Sequence, residues 1–235
     1  MSVYLDPIFD ESNDPHLSKN MDESGYHVFR NRIPATVCES LRDKIDELSQ
    51  AKDVEINYQA SEHRIWQAAD KASEFYSFQS LSNSLIPKLY GRASPAHNVL
   101  AIRNRPVPPD TERMQTRWHL DSFQKQLKLF AFLSDVTEDS GPLEFIPGTH
   151  KTSFKWRHAI PLGYYKLTDI PSYFQGKRSW QFIHNQTIDK IRTAGYEPKP
   201  MVAEAGTVML VDTSAIHRAR PCLSGERYAV TVYHR

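Results

Sequence analysis

From about residue 97 to its end, the chain consists of short runs of β-type residues closed by turn residues: HNVLAIRN, RMQTRWHLD, QLKLFAFLSDV, PLEFIPG, PMVAEAG, TVMLVD and RYAVTVYHR. Branched and aromatic residues in bursts of this length favour strands. Many short strands of this kind predict a sandwich or jelly roll, two sheets packed around a shared interior.

The part before residue 97 has a different texture. Residues 1–25 are acidic and turn-rich and are expected to wrap the surface, and GYHVFRNRI reads as a short strand. Pro34 then opens a segment in which Val37, Leu41, Ile45 and Leu48 recur at the spacing of an amphipathic helix. A second helix is expected over Phe75–Tyr90. The fold class is therefore mainly β with flanking α-helices. We expect one domain over 1–235, built from an N-terminal helical and wrapping segment (1–96) and a β core (97–234). The core is interrupted by an aromatic, basic insertion (152–199) long enough to act as a lid.

Charge excludes some partners. Lys and Arg number 29 against 28 Asp and Glu, so no global bias points to nucleic acid. No apolar run reaches the length of a membrane span. The first residues lack the basic-then-apolar order of a signal peptide, and Cys38 and Cys222 form no disulfide or zinc pattern. A cytoplasmic protein is expected.

The chemistry concentrates in WHLD. In a strand, His119 and Asp121 point the same way and Leu120 the other. A second imidazole, His217, stands where a strand ends in GTVMLVDTSAIHRARP. If the two strand ends are neighbours, His119, Asp121 and His217 offer two imidazoles and a carboxylate to one face of a metal, the donor set of non-haem Fe(II) oxygenases. An H-x-D triplet alone arises often by chance, and a lone histidine is more often a hydrogen-bonded structural residue. Ten residues on, alternation places Arg227 on the face of Ala229, Thr231 and Tyr233. A guanidinium facing a β-barrel interior needs an anion, either an internal Asp or Glu or the carboxylate of a ligand.

Three blocks extend the pattern: QTRWHLDSF, LSDVTEDSGPLEFIPGTHK and GTVMLVDTSAIHRARPCLSGERYAV. Together they resemble the phytanoyl-CoA dioxygenase (PhyH-like) family of Fe(II)/2-oxoglutarate-dependent oxygenases. The middle block is similar to the family's proline-glycine signature, with Thr149 in place of Ser. The resemblance spans roughly 97–234. It implies a double-stranded β-helix, a cupin-like jelly roll, and an oxidoreductase that uses Fe(II), 2-oxoglutarate and O2 to oxidise a small molecule, most simply by hydroxylation, releasing succinate and CO2. It also implies that His119, Asp121 and His217 bind iron and that Arg227 binds the distal carboxylate of 2-oxoglutarate. Ala219 departs from the family, which often has a hydroxyl there, and Asp121 argues against a halogenase. The alternatives are a non-oxidative metal-binding jelly roll, such as a cupin-like isomerase, and a catalytically silent binding module. Neither the individual substrate nor an oligomeric state is read from these residues.

Further residues carry weaker expectations. Gln115 and Arg117 share the parity of His119 and are candidates to line a substrate pocket. His150 reads as a structural turn residue and Glu144 as a solvated strand residue. The aromatics of the insertion read more as packing than as a substrate platform. Its excess of Lys and Arg either favours an anionic substrate by electrostatic focusing or forms a solvated face.

Overall fold

The computed structural model describes residues 14–57, 61–91, 94–108, 116–169, 171 and 181–234. The N-terminal third gives α1 (Leu17–Ser24), β1 (Tyr26–Phe29), α2 (Ala35–Leu48), β2 (Glu55–Asn57), β3 (Glu62–Ile65), a short turn α3 (Ala68–Lys71) and α4 (Tyr76–Tyr90). The rest gives β4 (Ala96–Asn104), β5 (His119–Leu120), β6 (Leu127–Phe132), β7 (Leu143–Phe145), α5 (Thr152–Phe154), β8 (Gln181–Phe182), α6 (Asn185–Thr193), β9 (Lys199–Pro200), β10 (Val208–Asp212), β11 (His217–Ala219) and β12 (Arg227–His234).

These strands form two antiparallel sheets. The larger has the order β1-β10-β6-β12-β4-β3-β2 and the smaller β8-β5-β11-β7-β9. Alternation divides each strand of the larger sheet between two environments. Leu127, Leu129 and Ala131 of β6, Val208 and Leu210 of β10, and Tyr228, Val230 and Val232 of β12 pack outward against the helices. Phe132, Met209, Val211 and Ala229 face inward, toward Leu143 and Phe145 of the smaller sheet.

The expected helices cover that outer face. Cys38, Leu41 and Ile45 of α2 and Phe78, Leu81, Leu85 and Ile86 of α4 are buried in the same cluster as the outward strand residues. Each such side chain contributes roughly 1.5–3 kcal/mol. Pro34 stands at the N-cap of α2, and Ser49 closes it by donating its hydroxyl to Ile45 O at 2.7 Å.

Three expectations change. PMVAEAG yields only the short β9 and a single bridge from Ala203 to Val136. The acidic N-terminal region contains α1 within its described part, while residues 1–13 lie outside the described residues. The edge strand β2 and its neighbour β3 have no counterpart in the sequence reading, because EIN and EHRI are too polar to show an apolar alternation.

The described part of the insertion is a packed layer on the outer face of the smaller sheet. Phe154, Ala159, Tyr164, Tyr165, Ile183, Ile188 and Ile191 bury themselves against Trp118, Leu120, Phe123, Ile146 and Ile216. Its tyrosines are thus packing residues, and the ring of Tyr165 stacks on Phe123 at 3.7 Å. Tyr173, Phe174 and Trp180 lie outside the described residues. Among the described residues, no helix is long and apolar enough to cross a membrane.

Candidate metal and co-substrate site

β5 and β11 run side by side and antiparallel, with His119 directly opposite His217. Residues so opposed place their side chains on one face within contact distance, and the two ring centroids are 4.4 Å apart. Each ring is oriented by its own backbone. Nδ1 of His119 lies 2.7 Å from Arg117 O, and Nδ1 of His217 lies 2.9 Å from Ala215 O. A carbonyl can only accept, so both Nδ1 atoms carry the proton and both Nε2 atoms keep a lone pair. Burial pushes both imidazoles down, His217 to about 3, assisted there by the neighbouring His119. Both rings are therefore neutral at physiological pH, the form that binds metals.

Asp121 follows the last residue of β5, and its N–H donates to Thr213 O at 3.0 Å, which ties it to the loop leading into β11. Its Oδ2 is 3.8 Å from His217 Nε2. One ligand atom from each of His119, Asp121 and His217 falls within a mutual distance of 4.8 Å. Two neutral nitrogen donors and one carboxylate gathered on one side of a cavity fit a divalent transition metal and leave coordination positions open.

The turn carrying the proline-glycine signature braces this arrangement from behind. Thr149 is buried, donates its hydroxyl to Ile146 O at 2.7 Å and accepts the Ile216 N–H at 2.9 Å. The residue before His217 is thereby clasped to the end of β7. A serine could make the same two bonds, so the Thr149 departure preserves the function of the position.

Lys155, at the start of the insertion, reaches the same region from the far side. Its ammonium donates to Phe123 O at 2.7 Å and to Ser214 Oγ at 2.9 Å. Burial pushes it down to about 8, against the pull of nearby Asp212.

The triad lies at one end of a cavity of about 260 Å³ between the sheets. The wall from the larger sheet includes Phe130, Phe132, Thr231 and Tyr233, and Arg227 also lines it. Arg227, Asn104 and Glu62 are successive partners across β12, β4 and β3. Arg227 Nη2 donates to Asn104 Oδ1 at 2.8 Å, and Asn104 Nδ2 donates to Glu62 Oε2 at 3.1 Å. Glu62 is in turn 2.8 Å from Arg64. Ala219 lines the cavity where a hydroxyl would have stood. Thr231 brings a different hydroxyl to that cavity, buried and without a hydrogen-bond partner among the described residues.

Lys128 was not anticipated. It projects from β6 beside Phe130, its ammonium 2.7 Å from Asp121 Oδ2 and 4.3 Å from the centre of the Tyr233 ring. The two groups form a largely buried ion pair. Burial pushes the Asp121 carboxyl up, but Lys128 and then His217 outweigh it and hold the group well below the usual carboxylate range. The sequence signal was a single lysine at the inward parity of LKLFAF.

Arg117 does not line the cavity. It precedes β5, so strand parity does not extend to it, and its exposed guanidinium sits 3.9 Å over the Phe182 ring. Gln115 lies outside the described residues. Glu144 is buried, since the insertion covers the outer face of the smaller sheet, and it accepts bonds of 2.6 Å from Arg218 and from Arg220.

The model of the phytanoyl-CoA dioxygenase (PhyH) family matches residues 21–229. The chain belongs to the phytanoyl-CoA dioxygenase family. It is accordingly an Fe(II)/2-oxoglutarate-dependent oxidoreductase by class, with the double-stranded β-helix of that family. No curated protein matches it in sequence. Among solved structures it is similar to the epimerase SnoN in complex with Fe3+, α-ketoglutarate and nogalamycin RO, at 13% identity and a TM-score of 0.68, covering 93% of this chain and 82% of that one. HygX from Streptomyces hygroscopicus, with nickel and 2-oxoglutarate bound, is 13% identical with a TM-score of 0.63, covering 94% and 86%. EctD from S. alaskensis is 13% identical with a TM-score of 0.66, covering 96% and 78%.

Proposed function

We propose that this chain oxidises a small molecule, most simply by hydroxylation of a C–H bond, with 2-oxoglutarate converted to succinate and CO2. In this reading His119, Asp121 and His217 hold Fe(II), Arg227 holds the distal carboxylate of 2-oxoglutarate, and residues 1–235 act as one catalytic domain. The supporting observation is that two neutral imidazoles whose Nε2 atoms keep a lone pair, one carboxylate and a guanidinium share a single cavity. When bound, Fe(II) supplies the activation of O2 that the side chains cannot perform.

The protein's own contribution is arrangement. Asp121 brings the negative charge that retains a divalent cation, and the Nδ1–H bonds of the two histidines fix the rings so that no reorientation accompanies metal binding. Arg227, with Asn104 orienting it, offers N–H donors to a carboxylate at the cavity wall, which sets the co-substrate's direction. Phe130, Phe132 and Tyr233 keep that wall largely apolar and limit water near the reacting atoms.

The cavity wall has Arg64, Lys128 and Arg227 against Glu62 and Asp121, a cationic excess that favours an anionic substrate or co-substrate. The insertion supports this less than its composition promised: Lys155 is buried, Arg192 pairs with Glu197 at 3.1 Å, and Lys199 bonds Tyr26 at 3.1 Å.

The test is incubation of the purified chain with Fe(II), ascorbate and 2-oxoglutarate, with succinate measured across a panel of small organic acids, amino acids and glycosides. Succinate formation stimulated by a panel member is expected. Tight metal binding without 2-oxoglutarate turnover would favour the cupin-like isomerase, and failure to bind metal would favour the silent binding module.

A further inference from the structure

Lys128 lies opposite Tyr233 in the β6–β12 pair, toward the end of β12 away from Arg227. Its side chain is 10% exposed and that of Asp121 16%. The carboxylate oxygen it approaches, Oδ2, is also the one that comes within 3.8 Å of His217 Nε2. An ammonium and a metal ion at this triad therefore draw on the same oxygen.

We propose, building on the site assignment above, that Lys128 is an internal counter-ion that competes with the metal for Asp121 and couples metal retention to an anionic ligand. Without metal, Lys128 and Asp121 neutralise each other, which lets two largely buried charges stay in the cavity. A divalent cation entering the triad takes the carboxylate and leaves a buried ammonium a few ångströms from a doubly positive ion. That repulsion is poorly screened inside the protein, so metal alone binds against it. An anion in the same cavity removes the penalty. A dicarboxylate such as 2-oxoglutarate suits the arrangement, because one carboxylate can answer Arg227 while the other lies on the metal side, toward Lys128. By linkage the coupling is reciprocal, so the anion strengthens the metal and the metal strengthens the anion by the same factor.

The experiment is calorimetric titration of Co(II) into the metal-free full chain at one fixed pH, with and without 2-oxoglutarate, for the wild type, Lys128→Met and Lys128→Gln. The wild type is expected to bind Co(II) on the order of tenfold or more tighter in the presence of 2-oxoglutarate. Both variants should bind Co(II) alone more tightly than the wild type, and their gain from 2-oxoglutarate should shrink to a few-fold. The Gln variant keeps a polar group at the position, so the test stands if the Met variant does not fold. Co(II) affinity that is unchanged or lower in the folded variants, with the 2-oxoglutarate effect intact, overturns the proposal and makes Lys128 an orienting or purely structural partner. A wild type that binds no Co(II) at all would instead remove the metal-site assignment on which the proposal rests.

Discussion

Arg227 and Thr231 share the inner face of β12, yet their partners differ. Arg227 has Asn104 as one acceptor and, in the proposed reading, takes the distal carboxylate of 2-oxoglutarate as another. Arg227→Ala should lower 2-oxoglutarate affinity ten- to hundredfold, since a charge-assisted contact contributes roughly 1.5–3 kcal/mol and about 1.4 kcal/mol is a factor of ten. Arg227→Lys should recover only part of the loss, because an ammonium lacks the planar fork. Titration of anaerobic Fe(II) protein, followed by its charge-transfer absorbance, checks both; undiminished affinity in the alanine variant would make the guanidinium a structural partner of Asn104. Thr231 presents the opposite case, a buried hydroxyl with no hydrogen-bond partner among the described residues. Thr231→Val exchanges that unsatisfied group for a methyl and should stabilise the ligand-free chain by about 1 kcal/mol in urea denaturation. A loss of stability would mean that the hydroxyl has a partner such as ordered water. At this scale the sequence indicated that His119, Asp121 and His217 could meet and that Arg227 faces inward, and the structure places them at one cavity. The sequence was silent on Asn104, Glu62, Arg64 and Lys128, which meet the site only through strand pairing, and misleading for Arg117 and Glu144, where parity was extended past a strand end or the covering layer was not foreseen.

Two connections between elements carry the site, and neither touches the cavity. The first is the Thr149 clasp. Thr149→Val strands the buried Ile216 N–H, which costs about 1–3 kcal/mol, whereas Thr149→Ser should stay within about 1 kcal/mol of the wild type because the hydroxyl is retained. Thermal unfolding of the two variants separates hydrogen bonding from packing; equal losses would assign the role to the methyl group. The second is Lys155, which joins the insertion to the loops around Phe123 and Ser214. Its ammonium releases its proton near pH 8 in the folded chain and near 10.5 when unfolded. Between those values the unfolded state binds more protons, so this group makes stability rise with pH, by on the order of 3 kcal/mol in all; below about pH 8 it adds no pH dependence. Lys155→Met should flatten that portion of the stability curve relative to the wild type, as read by urea denaturation from pH 7.5 to 10.5. A variant whose curve parallels the wild type would show that the depressed proton affinity does not persist in solution. The elements themselves were largely legible: α2, α4 and the long strands follow from apolar periodicity. β2 was hidden because it is short and exposed, and β3 because Glu62 and Arg64 are polar and face a cavity. The packing of the insertion's described part was not legible, because length and aromatic content do not reveal which face of a sheet a segment will cover.

For the molecule as a whole, metal binding and folding are linked. A metal that binds the native triad but not the unfolded chain should stabilise the fold by about 2.7 kcal/mol at a hundredfold excess over its dissociation constant. Scanning calorimetry with graded Co(II) should therefore show a concentration-dependent rise in Tm that a chelator reverses, and a Tm indifferent to metal would count against an assembled site. The jelly roll was foreseeable because many short strands have few ways to bury their faces, but sheet order was not, since the chain places distant segments side by side. The pairing of His119 with His217 shows what this implies. The two histidines are far apart along the chain, and a shift of one residue between β5 and β11 would turn one imidazole to the opposite face. Such distant contacts form late, after the loop entropy between them has been overcome. In the proposed reading, a chain in which β5 and β11 are out of register therefore offers only the His119–Asp121 part of the centre, and a capacity that needs all three donors arises only when the register is right.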